Sequence, residues 1–283
     1  MSAFAVLQYA PVMRGFLVLL AAGVAFPLVG VFVLRLNLIT MRFALMHASL
    51  LGGAIALAAG LNPLLIGLAT NGVVVLCIAR LRSTSQQNVG LITTFFMVFT
   101  VGLAFAIIYR WSVPANDSLQ ILWGNIYAMS RADAWMTAVY AGILIVALVA
   151  FLPQLKAVLY DREVAVSVGV NESLAYTLII LTVGFTITFV MRLIGALRLD
   201  ALLILPSLMA IAVAKSTKWV FILASVFGLI VSVVGFAAAL LIDIPASSGV
   251  TLVGALLFAV VHIVKRVADR RASQRISEAT AVH

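Results

Sequence analysis

Two ionisable side chains inside long apolar runs are the ones that could touch an ion. His47 stands in the run Met46-His47-Ala48-Ser49-Leu50-Leu51-Gly52-Gly53. Imidazole is the commonest side-chain metal ligand, and ionisable groups at membrane depth tend to mark function. A plainer role is also open. Arg42 lies five residues earlier, so His47 could be a hydrogen-bonded histidine near a helix end. Asp200 lies in the stretch Gly195-Ala196-Leu197-Arg198-Leu199-Asp200-Ala201-Leu202-Leu203-Ile204-Leu205-Pro206. Arg198 and Asp200 are two residues apart and point in different directions on a helix. Asp200 therefore needs a metal, a water-filled cavity, or an ion-pair partner on a neighbouring helix. Pro206 cannot donate a backbone hydrogen bond and kinks or breaks a helix. Transporters build binding sites from such discontinuous helices.

Other chemistry is excluded more easily. No Ser/His/Asp arrangement, no carboxylate pair at usable spacing and no phosphate-cradling loop G-x-x-x-x-G-K-[ST] occurs, so an enzyme is not expected. The single cysteine, Cys77, allows neither an internal disulfide nor a thiolate cluster. It fits as a small core residue. His262 is expected to be structural, and His283 is the last residue.

The elements that must hold these residues are membrane helices. Of 283 residues, 65% are hydrophobic and 10% charged, whereas a soluble domain carries about 25% charged residues. Apolar runs such as Gly15 to Leu34 and Phe221 to Ile242 pass the length of roughly 18 residues that a span requires. Helices satisfy every backbone polar group internally, which lipid demands. The expected architecture is an all-α, polytopic transmembrane bundle. About nine spans are expected, near 14–34, 43–61, 63–80, 89–109, 133–152, 173–192, 195–214, 218–241 and 249–266. The first run is expected to be a retained span. Two stretches are open: 112–132, which fits a short interfacial or re-entrant helix, and 173–214, which fits two spans or one broken one.

The net charge of +9 sits mainly in loops and sets topology. Arg35, Arg42, Arg80, Arg82, Lys156, Arg162, Lys215, Lys218 and the basic tail fall on one side. By the positive-inside rule that side is cytoplasmic, with the N-terminus outside. Residues 1–266 form one transmembrane domain, followed by a cytoplasmic basic tail over 267–283. No soluble domain is present to hydrolyse ATP, so an ATP-driven function needs a separate subunit.

Three further segments have local meaning. Ala48, Gly52, Ala56 and Gly60 recur every four residues, a small-residue stripe for close helix packing. Asp161-Arg162-Glu163-Val164-Ala165-Val166-Ser167-Val168-Gly169 fits an ordinary connector or a small cytoplasmic docking helix. Its acids lie near the N-terminus and Gly169 offers a stop. Asp243-Ile244-Pro245-Ala246-Ser247-Ser248-Gly249 has the composition of a tight outer loop.

Taken together these segments resemble the permease family of zinc, manganese and iron ABC importers. Leu45 to Gly52 resembles its histidine-containing second helix, and Leu122-Trp123-Gly124-Asn125 its L-F-G-[DS] segment, with Asp133 following. Asp161 to Gly169 resembles its cytoplasmic coupling helix, with Ala165 and Gly169 matching. Gly195 to Pro206 resembles its V-G-A-L…L-L-I-x-P-A-A stretch, and Asp243 to Ala246 its outer loop. Three positions depart from the family pattern. Phe43 stands where the family carries an aspartate four residues before the histidine, and Asp200 stands where a small or hydroxyl residue is usual. Ser207 also follows Pro206 in place of an alanine.

The resemblance implies a homodimer of permease chains with cytoplasmic ATPase subunits docked at 161–170 through Asp161, Glu163, Ala165 and Gly169. An extracytoplasmic solute-binding protein would deliver the ion. It implies a divalent cargo, no permanently bound cofactor, ATP held by the partner subunit, and movement by alternating access in a cell inner membrane. Gly195 and Pro206 would form the kink along the route. Asp200 could supply to His47 the carboxylate that Phe43 lacks. A metal chelate, a small organic solute or an ion-coupled secondary transporter are the competing expectations. A non-transporting scaffold would not need the docking helix.

Overall fold

The computed structural model describes residues 8–81, 86–114, 117, 124, 126–160, 166–167 and 169–280. Among these, eight helices are long and apolar enough to cross a membrane. They are α1 (Ala10–Arg35), α2 (Ile39–Ala59), α3 (Pro63–Leu81), α4 (Gln86–Arg110), α5 (Arg131–Ala150), α7 (Glu172–Ile194), α10 (Thr217–Ile242) and α11 (Ala246–Thr280). Short helices complete the bundle: α6 (Leu152–Tyr160), α8 (Leu199–Leu203) and α9 (Leu205–Val213), with 3-10 turns at Ile126–Ala128 and Ala196–Arg198.

The expected ninth span over 195–214 is the main difference. Gly195 ends α7 at φ +86, a backbone state that glycine adopts without strain. Pro206 sits in the first turn of α9, where a missing N–H costs nothing. Ile204 separates the two short helices, though its N–H still reaches the Asp200 carbonyl and its own carbonyl accepts from the Leu208 N–H; Pro206 has no N–H to give. Fifteen residues of helix cover about 22 Å, short of the roughly 30 Å hydrocarbon core. The segment is a broken pair of short helices rather than a full span. Of the two readings of 173–214, it corresponds to one continuous span, Glu172–Ile194, followed by this broken pair. The basic stretch after residue 266 is helical, since α11 continues as one helix to Thr280.

α1, α2 and α7 are the inner helices, while α4, α5 and α11 turn large apolar side chains outward. Lipid is as apolar as leucine, so helix association depends on close packing rather than on removal from water. The sequence supplies small residues where backbones meet. A Cβ on Gly30 of α1 would lie 1.9 Å from the Leu203 carbonyl oxygen of α8, and one on Gly228 of α10 would lie 2.1 Å from the Gly23 carbonyl oxygen of α1. That Gly23 carbonyl has no intrahelical donor, because Pro27 occupies the i+4 position inside α1.

Ser207 ties the broken segment to α1. Its hydroxyl reaches the Pro27 carbonyl at 2.6 Å and the Leu203 carbonyl at 2.9 Å. On α2, Gly52 faces α3. Its Cβ position is 2.5 Å from the Gly67 Cα of α3, and Ala48 and Ala56 are buried beside it. Gly60 departs from the stripe. It has open space around it and φ +67, and it is the left-handed C-cap of α2.

Candidate functional site

The cluster around α2 begins at Arg42, which is buried at 5% exposure in the second turn of the helix. Its Nη1 donates to Asp200 Oδ1 on α8. The same guanidinium lies over the Phe43 ring, 4.3 Å from its centroid. Asp200 therefore has the neighbouring-helix partner that it required. Its side chain remains half exposed, which leaves Oδ2 accessible. Arg198, two residues away, points elsewhere and donates to Ser247 Oγ at 3.3 Å.

His47 lies one turn beyond Phe43. Its Nδ1 is 2.7 Å from the Phe43 carbonyl oxygen. A carbonyl only accepts, so Nδ1 carries a proton, and in the neutral form of the ring the lone pair lies on Nε2. Among the described residues, no group of three or more His, Cys, Asp and Glu side chains converges to hold a metal. His47 and Asp200 thus belong to no such group among the described residues.

A polar column continues along α2. Ser49 Oγ and Thr188 Oγ1 are 2.8 Å apart, and Asn71 Nδ2 donates to both, all fully or nearly buried. Thr188 passes its own proton to the Gly184 carbonyl at 3.1 Å. Asn71 Oδ1 is left without a partner, an open acceptor at membrane depth. Beyond this triad lies a cavity of about 100 Å³ lined by Ser49, Gly53, Leu57, Thr188, Arg192 and Asp117 among others. Its volume accommodates a few waters.

The column ends in a charged knot at the other end of the bundle. Asp133, 2% exposed in the first turn of α5, accepts from Arg192 Nη2 of α7 at 3.3 Å and from Asn62 Nδ2 at 3.1 Å. Ser130 caps α5 by accepting from the Asp133 N–H. Nearby, Arg14 donates to the Met129 carbonyl. Outside the spans, burial raises the Tyr127 phenol above its ordinary value.

Two motif glycines meet at this end. A Cβ on Gly124 would lie 2.2 Å from the Gly195 backbone nitrogen, and both glycines have positive φ. Leu122, Trp123 and Asn125 lie outside the described residues. So do Asp161, Glu163 and Ala165, three of the four expected docking residues. Gly169 is described. It is exposed, at φ +80, with its N–H bonded to the Val166 carbonyl, and it turns the chain toward α7.

Sequence reasoning treated Arg42 only as a helix-end charge and missed Ser49, Asn71 and Thr188. Asn71, in the middle of an otherwise apolar span, was the available signal.

Comparison with known proteins places this geometry. The profile of the ABC 3 transport family matches residues 8–265. Among curated proteins, the chain is 23% identical over 255 residues to the manganese transport system membrane protein MntC of Listeria monocytogenes, covering 89% of this chain and 90% of that one. It is 27% identical over 242 residues to the manganese import system permease protein ScaB of Streptococcus gordonii, covering 84% and 85%. Among solved structures, it resembles PsaBC from Streptococcus pneumoniae in complex with Fab, with a TM-score of 0.80 at 22% identity over 92% of this chain and 94% of that chain.

Proposed function

The chain belongs to the ABC 3 transport family, and we propose that it is the permease subunit of an ATP-driven importer for a divalent metal ion, manganese ahead of zinc or iron. The family match and the two manganese-transport relatives support that cargo. The observation that carries it on this chain is His47. Its Nδ1 is committed to the Phe43 carbonyl, so Nε2 is the ligating nitrogen. This is the arrangement by which a backbone carbonyl fixes the tautomer of a metal-binding histidine.

In this reading two permease chains form the route, and ATPase subunits dock at the segment 161–170. A solute-binding protein delivers the ion from outside. Closure of the ATPases on ATP rocks the bundle between outward- and inward-facing states. The broken segment α8–α9 is suited to such movement, because it is tied to α1 by Ser207 yet interrupted at Ile204. Asp200 takes part as a paired carboxylate. A dication competes with Arg42 for it and passes on, which suits transit rather than storage.

A second cargo class is favoured by Phe43 and Arg42. Phe43 removes one carboxylate and Arg42 neutralises another, which suits a metal chelate or small organic solute with little net positive charge. The test is uptake of radioactive manganese and zinc into cells expressing this chain with its ATPase, comparing wild type with His47→Ala. Uptake lost in the variant at unchanged membrane abundance supports the metal permease. Uptake unchanged by the variant removes His47 from the route. No metal uptake by an active complex favours the second cargo class.

A further inference from the structure

A cavity of about 380 Å³ lies apart from the polar column, between the last turn of α1, the short helix α6 and the first turn of α10. Val31, Ala157, Leu159 and Val220 form its apolar wall, and Arg35, Lys156 and Thr217 supply its polar groups. No acid lines it. Among the described residues, neither Arg35 nor Lys156 has an ion-pair partner. Two cations from separate helices thus converge on one space, and among the described residues no acid lining it balances them. Lys215 and Lys218 stand exposed at the same end of the bundle, and Trp219 is 54% exposed beside them. Exposed tryptophan and basic side chains are the residues that settle at a membrane–water interface.

We propose that this cavity binds the phosphate headgroup of an anionic phospholipid of the cytoplasmic leaflet. The proposal rests on the orientation given by the positive-inside rule. The lining favours a lipid over free phosphate. A free phosphate needs polar contacts on all sides, whereas here the basic edge of Arg35 and Lys156 adjoins a wall of Val31, Leu159 and Val220. That sequence of polar then apolar surface matches the junction of headgroup and acyl chain. Basic pockets between spanning helices on the cytoplasmic side bind anionic headgroups in this way. A lipid seated there would bridge α1, α6 and α10. It would thereby couple the helix leading toward the docking segment to the core of the bundle.

The experiment is native mass spectrometry of the full chain in mild detergent, with phosphatidylglycerol or phosphatidylcholine added at equal concentration. Wild type is expected to retain phosphatidylglycerol at least about tenfold better, given roughly additive contributions from two basic side chains. Arg35→Gln with Lys156→Gln is expected to abolish the preference. Ala157→Trp, which fills the cavity and keeps both charges, is expected to abolish it as well, so the outcome does not depend on one variant folding. Inorganic phosphate at millimolar concentration is expected not to displace the lipid. Equal retention of both lipids by wild type overturns the proposal, as does an undiminished preference in a folded variant. Displacement by inorganic phosphate overturns the lipid assignment in favour of a free anion. None of these readouts depends on transport, so a failed metal-uptake assay leaves this test intact.

Discussion

Arg42 of α2 donates to Asp200 of α8 across 158 residues of sequence, and the same guanidinium covers the ring of Phe43. One side chain thus contacts two of the positions at which this sequence departs from the family pattern it resembles. The aromatic ring that replaces a carboxylate at position 43 packs against the cation. The carboxylate added at position 200 neutralises it. An arginine this buried would otherwise be an uncompensated charge.

The pair is therefore expected to be energetically coupled. Asp200 is half exposed, so the coupling is smaller than for a fully buried pair, about 1–2 kcal/mol. Thermal unfolding of Arg42→Gln, Asp200→Asn and the double variant measures it. Asp200→Asn should be the more damaging single change, since it strands the buried guanidinium. Strict additivity of the two changes would show that the contact carries no energy.

Close backbone approaches predict a contrast among glycines. Gly30→Ala drives a methyl into the Leu203 carbonyl, and Gly124→Ala drives one into the Gly195 nitrogen at a backbone angle that alanine resists. Each should cost about 1–3 kcal/mol or more and lower the amount of folded protein in the membrane. Gly142 on α5 has nothing within 4 Å of its Cβ position, so Gly142→Ala should be neutral or stabilise by up to about 1 kcal/mol. Detergent unfolding midpoints of the three variants check the order.

How much was legible in advance follows from where the information lies. Long apolar runs disclose helices, because lipid leaves no other way to satisfy a backbone. The span boundaries followed from charges and glycines. The break at Gly195 and Pro206 was visible as residue types. That it shortens a whole span was not, because the outcome depends on Ser207 and Gly30 holding the segment against α1. His47 and Asp200 stood out as ions in apolar sequence. The partner of Asp200 did not, since a side chain from a helix 158 residues away leaves no local pattern. Asn71, Ser49 and Thr188 are ordinary residues individually and gain meaning only when three helices bring them together.

The knot of Asp133, Arg192 and Asn62 joins α5, α7 and the α2–α3 turn. Asp133 is almost fully buried and Arg192 already has an unpartnered Nε. Asp133→Asn should destabilise by about 2–4 kcal/mol because it leaves a cation without its anion. Adding Arg192→Gln should recover part of that loss. Protease resistance of the folded chain in detergent separates the three variants, and an Asp133→Asn protein as resistant as wild type would remove the knot from the structural account.

Restoring a carboxylate at position 43 tests the site directly. On α2, residue 43 is one turn before His47, and its backbone carbonyl already holds the imidazole. Phe43→Asp would place an anionic oxygen near the free Nε2, and two ligands hold a dication better than one. The new carboxylate would also face Arg42, which could leave Asp200 to pair with it. Phe43→Asp alone is therefore expected to give a modest gain. Phe43→Asp with Arg42→Gln, which frees both carboxylates, is expected to bind manganese about 10–100-fold more tightly than wild type, the range over which a supporting group alters metal affinity. Isothermal titration of manganese into the purified chain, with His47→Ala added as the control, measures it. Tighter binding that survives loss of His47 would place the ion elsewhere. Tighter binding that vanishes with it would mark this turn of α2 as the point where the cargo is held. The double variant should then transport more slowly than wild type, because an ion held more firmly leaves more slowly.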